Sequence, residues 1–302
     1  MDKNIDEMKY RTFSFLDKIY ERLAPKAKGV EADTRTIKAL LNSDEPCMIS
    51  RFGSTELQTL CYVKYYPLSL PLKKRTFFNI QYASGFFPVT HNNLKKFYAK
   101  YKADVKEMDL LVSWRIEELL FRGWLKAKDY VRKTTLDKFY LYEHPWTYAL
   151  KGKKVLVVHP FAETIEEQYS NNREKLFENK EVLPQFASLE TVKAVQSVAG
   201  NVVEFNSWFD ALEWMKNEIE KKDFDVALLG CGAYAMPLAA HIKRMGKKSI
   251  HMGGILQFLF GIKGKRYIEN PETDAFINEF FVSPSNADRP EGANKVEGGC
   301  YW

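Results

Sequence analysis

Glycines at the ends of two predicted strands are well placed to hold an anionic ligand. Gly230 and Gly232 follow the apolar run from Phe224 to Leu229 and permit a tight turn. Pro237 then stands in the first turn of the next helix, where its missing amide hydrogen is tolerated. A helix that begins in this way directs free N–H groups at phosphate or carboxylate. Gly254 ends the next predicted strand, so both turns are predicted to bind a phosphorylated or otherwise anionic ligand.

A glycine-rich loop later in the chain adds positive charge. Its sequence from Gly261 is GIKGKR, and its cations are Lys263, Lys265 and Arg266. Fixed cations offset the negative charge that develops on a departing nucleoside diphosphate. We therefore expect these three side chains near the phosphates of the ligand. An ordinary solvated basic loop is the alternative.

The spacing Gly230-x-Gly232-x-x-Ala235 also fits a relaxed fingerprint for NAD or FAD binding. That fingerprint requires an acidic residue roughly 20 positions further on, where it binds the ribose hydroxyls. The next strand, from Lys248 to Gly254, contains no carboxylate. Its absence argues against a nicotinamide or flavin cofactor. Close packing of a helix on the sheet remains another explanation for the glycines.

The segment after residue 50 brings an arginine, a glycine turn, a hydroxyl and a carboxylate to one strand end. Arg51 could bind phosphate through its fork of N–H donors. Gly53 supplies the turn and Ser54 the hydroxyl, while Glu56 could bind a divalent cation or accept a proton. The alternative is structural, with Ser54 as the N-cap and Glu56 in the first turn of a helix.

His159 follows another short apolar run and precedes a proline. A lone histidine in this position is more often a structural group than a catalytic one. We keep it as a reserve candidate for proton transfer.

Apolar runs that alternate with helical patterns predict the scaffold that positions these residues. The predicted strands are 47–51, 110–113, 155–158, 224–229 and 248–254, and the predicted helices are 4–23, 34–41, 54–64, 92–103, a segment from 115 to 121, and 207–221. This alternation indicates an α/β fold with a mostly parallel, doubly wound sheet and helices on both faces. Ligands collect at the carboxyl ends of such strands, so the residues above should meet there. We expect one domain over 1–302, with a helical segment at 1–45 and an ordered tail at 284–302 near the site.

Composition excludes several classes of protein. The chain has 302 residues, of which 45% are hydrophobic, and no apolar run approaches the ~18 residues that a membrane span needs. The N-terminus lacks the apolar core of a signal peptide, so we expect a cytoplasmic protein. The four cysteines are scattered, with no partners at zinc spacing, so we expect free thiols.

The formal charge of +6 does not by itself identify a partner. Lysines and arginines recur among carboxylates in apparent helices such as LKKFYAKYKADVKE and WLKAKDYVRK, which is typical of solvated surface. Without a nucleic-acid-binding motif, we expect no nucleic-acid partner. The segment from Tyr62 to Arg75, YVKYYPLSLPLKKR, instead suits a membrane-proximal or glycan-facing surface, with a core-packed loop as the alternative. Peripheral attachment to the inner face of the membrane therefore stays open.

The segment RFGSTEL at 51–57 resembles the RFGDGEL segment of the GT-D glycosyltransferases, a family once catalogued as a domain of unknown function. Four later segments resemble bacterial polysaccharide-cluster proteins of related glycosyltransferase families: HPF at 159–161, GCGAYAMPLA at 230–239, GGILQFLFGIKGKR at 253–266 and KVEGGCYW at 295–302. The resemblance spans most of the chain, and the order of the motifs is more specific than any one of them.

The resemblance implies transfer of a sugar from a nucleotide donor to a glycan or glycolipid hydroxyl on a Rossmann-like scaffold, in surface polysaccharide synthesis. The implied donor is a UDP-sugar such as UDP-glucose, or UDP-galactofuranose, since some relatives resemble galactofuranosyltransferases. In the family pattern an Asp-x-Glu pair assists donor and metal binding. Here Ser54 replaces the Asp and only Glu56 remains, which weakens the expectation of a bound Mg²⁺ or Mn²⁺.

An inverting transferase also needs a base for the acceptor hydroxyl. Glu56 and Glu297 are the candidates, with Asp288 and His159 in reserve. Glu297 lies in a glycine-flanked stretch without an amphipathic pattern, and an exposed tail carboxylate is its alternative role. Two other functions remain open: a non-catalytic sugar-nucleotide or glycan-binding component of a polysaccharide assembly complex, and another nucleotide-using enzyme on this scaffold. The oligomeric state is unknown.

Overall fold

A computed structural model describes residues 28–127, 129–296 and 298–302. Its centre is a sheet of seven parallel strands in the order β3-β2-β1-β7-β6-β4-β5. The strands are β1 (Met48–Ser50), β2 (Leu110–Ser113), β3 (Asp129–Arg132), β4 (Lys154–His159), β5 (Ser188–Lys193), β6 (Val226–Leu229) and β7 (Lys248–His251). The interior strands are short and almost entirely buried, as expected for strands covered on both faces.

Helices fill the connections between the strands. The α-helices are α1 (Val30–Asn42), α2 (Ser54–Lys64), α3 (Lys73–Tyr82), α4 (His91–Asp104), α5 (Lys133–Asp137), α6 (Ala162–Leu176), α7 (Trp208–Glu220), α8 (Ala235–Arg244), α9 (Ile255–Leu259), α10 (Lys265–Ile268) and α11 (Pro271–Asp274). Ser207 caps α7 as expected, because its hydroxyl accepts a hydrogen bond from the backbone N–H of Asp210 at 3.3 Å. Within the described part of the chain, no helix is both long and apolar enough to span a bilayer.

The sheet separates two apolar cores. Side chains alternate along β4, so that Leu156 and Val158 enter one core while Val155 and Val157 enter the other. Helices α2, α4, α7 and α8 contribute to the first core, and α1, α6 and α9 to the second. The predicted parallel sheet with helices on both faces is confirmed.

The helices that follow β1 and β7 lie on opposite faces of the sheet. Strand β1 pairs with β7, with Ile49 opposite Ile250. Helix α2, which follows β1, packs in the first core, whereas α9, which follows β7, packs in the second. Neighbouring strands whose connections leave in opposite directions open a crevice at their carboxyl ends.

The predicted elements agree with the structure in the interior of the sheet and differ at its edges. The segment WLKAKDYVRK, expected to be helical, contains edge strand β3, and edge strand β5 was not predicted. The helix expected from Arg115 is a 3₁₀ helix, Ile116–Trp124. The helix expected at 4–23 lies outside the described residues.

The tail from residue 284 is ordered and packs beside the carboxyl ends of the strands. The indole of Trp302 donates to the carbonyl of Asp288 at 2.8 Å, and the carbonyl of Tyr301 accepts from the amide of Gln257 at 3.1 Å. A β-carbon at Gly264 would lie 2.5 Å from the carbonyl oxygen of Tyr301, so a glycine is required for this close approach.

Candidate functional site

A cavity of about 620 Å³ opens at the carboxyl end of the sheet. Residues that follow all seven strands line it. They include Lys133 after β3, Trp114 and Arg115 after β2, Arg51 and Gly53 to Glu56 after β1, Gly253 to Ile255 after β7, Gly230 to Gly232 after β6, Pro160 and Phe161 after β4, and Val195 to Val198 after β5. The last residues of β4 and β7, His159 and His251, line it too. The cavity therefore lies where a parallel sheet is expected to bind its ligand.

Arg51 is held in this cavity with unused hydrogen-bonding capacity. Its guanidinium is mostly buried, yet Nε and Nη1 have no hydrogen-bond partner among the described residues. The nearest carboxylate oxygen, Oδ2 of Asp137, is 3.9 Å from Nη1. The guanidinium lies against Gly253, where a β-carbon would stand 2.1 Å from Nη2. Buried N–H donors normally find partners, so these two are suited to an anionic ligand.

The N-terminus of α2 faces the same space. Gly53 is the N-cap and Ser54 the first helical residue, so the alternative with Ser54 as N-cap is wrong. Gly53 has no side chain with which to cap this end, and Gly53 to Glu56 all line the cavity. Free N–H groups at a helix N-terminus favour negative charge.

The side chain of Glu56 folds back over Gly53. Glu56 is buried, and a β-carbon at Gly53 would lie 1.8 Å from its Oε2. The carboxylate is thereby fixed at the cavity wall, close to the first turn of its own helix.

The predicted glycine turns also lie in the wall. Gly230 is packed so closely that a β-carbon would meet the ring of His159 at 2.7 Å, and Gly232 has φ +58°. Gly254 lies beneath Arg266, whose Nη1 would be 2.7 Å from an added β-carbon. All three glycines line the cavity.

Of the three loop cations predicted to converge on the ligand, the structure places one on the cavity. The guanidinium of Arg266 lines it and lies 4.6 Å from the ring centroid of Tyr301. Neither Lys263 nor Lys265 contributes to the lining, and Lys265 is exposed and pairs with Glu269 at 3.6 Å. Neighbouring helical residues point about 100° apart, so α10 cannot aim Lys265 and Arg266 in one direction.

Two buried histidines in the wall are neutral. Nδ1 of His159 accepts a hydrogen bond from the backbone N–H of Phe161 at 3.0 Å, which leaves the ring proton on Nε2. Burial lowers the pKa of His159 to about 3. Burial, together with the neighbouring Arg51, also lowers the pKa of His251 to about 3.

Two of the carboxylates predicted as candidates for the base belong to the C-terminal tail. Glu297 is outside the described residues, although Val296 and Tyr301 line the cavity. Asp288 is buried and anchors the tail, since its Oδ2 accepts hydrogen bonds from Thr164 at 3.2 Å and from Ser285 at 2.8 Å. Asp288 does not line the cavity.

Sequence reasoning missed the contribution of the loops after β2 and β3. Trp114 and Arg115 follow β2, and Lys133 follows β3 with its ammonium 5.2 Å from the centroid of the Trp114 ring. Lys133 also forms an ion pair with Asp137. The residues after β2 could have been identified from the sequence, because the predicted strand ends at residue 113, directly before Trp114.

No group of three or more His, Cys, Asp or Glu side chains suited to a metal ion occurs among the described residues. The cavity wall instead combines cations, a helix N-terminus and three carboxylates, those of Glu56, Asp137 and Glu272. Such a wall can bind a multiply charged anion and place a proton acceptor beside it.

Comparison with known proteins gives a family match. The model of the GT-D fold-like domain family matches residues 30–259. No curated protein matches the chain.

Two solved structures resemble the chain at low identity. One is a selenomethionine-substituted domain of unknown function 1792, with a TM-score of 0.47, 12% identity, and coverage of 91% of this chain and 96% of that chain. The other is described as a new glycosyltransferase of the same domain class from Streptococcus sanguinis, with a TM-score of 0.41, 12% identity, and coverage of 87% and 95%. At these scores the assignment rests on the family match alone.

Proposed function

This chain belongs to the family of GT-D fold-like domains, which makes it a glycosyltransferase by family, and we propose that it moves a sugar from a nucleotide donor to a glycan or glycolipid hydroxyl. The donor we propose is a UDP-sugar, either UDP-glucose or UDP-galactofuranose, and the setting is synthesis of a surface polysaccharide in the cytoplasm. We propose inversion at the anomeric carbon.

One observation carries this proposal: two arginines flank consecutive glycines in the turn after β7. Arg51 lies against Gly253 and Arg266 against Gly254. Consecutive α-carbons are only about 3.8 Å apart, so the two guanidinium groups contact neighbouring positions of one turn. A pair of guanidinium groups at one turn is suited to a diphosphate, whose two charged groups can each take a fork of donors.

In the proposed reaction these arginines act on the departing diphosphate. As the bond between sugar and phosphate breaks, negative charge grows on the leaving oxygen. Positive groups fixed in advance stabilise that charge without reorganising. In the proposed arrangement the N-terminus of α2, with its N–H groups directed at the cavity, adds to the effect of Arg51 and Arg266.

The acceptor hydroxyl must lose a proton as it attacks the anomeric carbon. We propose that Glu56, whose carboxylate is held at the cavity wall, takes this proton, and Glu297 remains the second candidate. His159 is a poor substitute, because an imidazole with a pKa of about 3 binds a proton weakly near neutral pH.

Calorimetry with UDP tests the placement of the diphosphate. We expect Arg51→Ala and Arg266→Ala each to weaken binding by roughly 10- to 100-fold, the effect of losing a charge-assisted hydrogen bond. Lys265→Ala and Lys263→Ala are the matched controls, because they remove cations of the same segment that do not line the cavity. Equal losses in all four variants would indicate a diffuse charge effect, and unchanged affinity in the arginine variants would refute the placement.

A further inference from the structure

Half of the exposed large apolar side chains among the described residues fall within one short segment, which runs from the end of α2 into α3. They are Tyr65, Tyr66, Leu68, Leu70, Leu72 and Phe78. Leu68 is 85% exposed and Leu72 56%. The core-packed loop considered as an alternative for this segment is therefore wrong. We call these side chains, with Lys64, Lys73, Lys74 and Arg75, the 64–78 patch.

The patch is strongly cationic. Residues 57–103 contain eight lysines and arginines and no Asp or Glu, in a chain whose total formal charge is +6. The four cations of the patch are exposed, and none of them forms an ion pair with a described residue, while Lys64 donates to the carbonyl of Leu120 at 2.6 Å. Lysines interspersed with carboxylates were expected on the surface, but this stretch has no carboxylate to balance it.

The loop presents its leucines from an anchored backbone. Ser69 is buried, and its hydroxyl donates to the carbonyl of Tyr62 at 2.6 Å. Leu70 to Leu72 form a turn of 3₁₀ helix that leads directly into α3. The neighbouring residues on either side of Ser69 consequently project into solvent.

We propose that the 64–78 patch docks the protein on a membrane surface that contains anionic lipids. Leucine and tyrosine side chains gain free energy by entering the boundary between headgroups and acyl chains, while adjacent lysines and arginines pair with anionic headgroups. A second copy of the chain suits the patch less well. An isologous contact would set the four cations of one copy against those of the other. Nucleic acid would neutralise the cations but leave the leucines exposed to water.

The patch lies one helix length from the cavity. Helix α2 runs from Ser54, in the cavity wall, to Lys64 in the patch, and α3 returns from Lys73 to Tyr82, just before Ala83 and Ser84 of the wall. Helices of 11 and 10 residues span about 15 Å. A docked protein would hold its cavity rim about this far from the patch, within reach of a membrane-linked glycan. Only the inference about a membrane-linked glycan rests on the proposed function, and the docking itself does not.

Flotation of the full chain with lipid vesicles tests the proposal. We expect the protein to float with vesicles of phosphatidylcholine and phosphatidylglycerol, and to remain in solution with phosphatidylcholine alone. Lys73→Gln with Lys74→Gln should weaken partition roughly 30-fold, since each cation near an anionic surface contributes about a fivefold factor. Leu68→Ser with Leu72→Ser should weaken it about tenfold or more.

Matched control variants test whether the loss of vesicle binding is specific to the 64–78 patch. Val202→Ser removes an apolar side chain that is 92% exposed elsewhere, and Lys151→Gln with Lys153→Gln removes two cations of another turn. Both should float like the parent, and all variants should keep parental affinity for UDP as evidence of folding. The proposal is overturned if the parent ignores anionic vesicles or if the leucine variant floats unchanged. A parental dimer that the leucine variant abolishes in light scattering would also overturn it.

Discussion

At the scale of single residues, Gly53 is a glycine because Glu56 occupies the space beside it. Its backbone, with φ −75° and ψ 150°, is in the extended region that any residue adopts. A β-carbon, however, would collide with Oε2 of Glu56. The absence of a side chain at Gly53 therefore leaves the space in which the Glu56 carboxylate lies. The turn itself does not require a glycine.

Gly53→Ala should consequently damage turnover more than folding. The added methyl group displaces the Glu56 carboxylate, so kcat should fall toward that of Glu56→Gln, a loss on the order of 10²–10⁴ if Glu56 is the base. Transfer assays and UDP calorimetry separate the two effects, with UDP affinity expected to change little. Gly123→Ala is the control, because an added β-carbon there meets no atom within 4 Å. A Gly53→Ala enzyme with parental kcat would contradict this role for Glu56.

The two carboxylates proposed as base can be distinguished by the same assays. If Glu56 is the base, Glu56→Gln should bind the UDP-sugar normally and transfer almost nothing, while Glu297→Gln retains most of its rate. The reverse pattern would assign the proton transfer to Glu297 in the tail.

Ser54 leads to a prediction about metal dependence. A hydroxyl beside one carboxylate is a weak ligand set for Mg²⁺ or Mn²⁺, and arginines can supply the missing charge. We therefore expect transfer measured in EDTA to keep much of its rate. Loss of activity in EDTA and recovery with Mn²⁺ would show that other residues complete a metal site.

At the scale of elements, the turn after β2 depends on a buried carboxyl group. Glu118 accepts hydrogen bonds from the backbone N–H groups of Trp114 and Arg115, both at 3.2 Å, and from the hydroxyl of Ser113 at 2.6 Å. Burial nevertheless raises the pKa of Glu118 to about 7. Desolvation thus outweighs the three hydrogen bonds that favour the charged form.

This raised pKa makes stability depend on pH. Between about pH 4.5 and 7 the native state holds a proton that the unfolded chain has released, so the free energy of unfolding falls as pH rises. The loss amounts to about 3 kcal/mol above pH 7. Glu118→Gln mimics the protonated form and should be more stable than the parent at pH 8, but close to it at pH 4.5. Urea denaturation at both pH values measures the difference, and equal gains at both would exclude titration as the cause.

Whether a strand could be predicted from its sequence depended on its position in the sheet. Four of the five interior strands contain apolar runs such as Val155 to Val158, the exception being β7 with the sequence KSIH, and α2 follows from the turn at Gly53. The edge strands β3 and β5 have only Val131 and Val192 buried, so they lack an apolar run. Loops that depend on an edge strand, including the one with Lys133, were missed for the same reason.

At the scale of the whole molecule, the family match over residues 30–259 confirms the resemblance inferred from scattered motifs. Predictions at the ends of interior strands, such as Arg51 and Gly230, fall in the cavity wall. The direction of side chains on α10 depends on helix phase and on the packing of the tail, so sequence could not separate Arg266 from Lys265.

Buried histidines should make the whole fold sensitive to acid. Folding lowers the pKa of His159 and of His251 from 6.5 to about 3, so the unfolded state binds more protons between these values and stability falls as pH decreases. At pH 5 each histidine should cost about 2 kcal/mol. His251→Gln should reduce the difference in unfolding free energy between pH 7 and pH 5 by that amount, measured by urea denaturation. Glu118→Gln changes the same difference in the opposite direction, so the two variants control for each other.

The pairing of β1 with β7 has a consequence for biosynthesis. Ile49 and Ile250 lie opposite each other in the sheet although about two hundred residues separate them in the chain. At a translation rate of about 5–20 residues per second, β1 leaves the ribosome roughly 10–40 seconds before its partner strand is made. During that interval one edge of a buried, apolar strand is unpaired, which makes the nascent chain a substrate for chaperones. The arginine pair that we propose binds the diphosphate can form only after Arg266 has been synthesised, so the growing chain should acquire affinity for UDP late and in a single step.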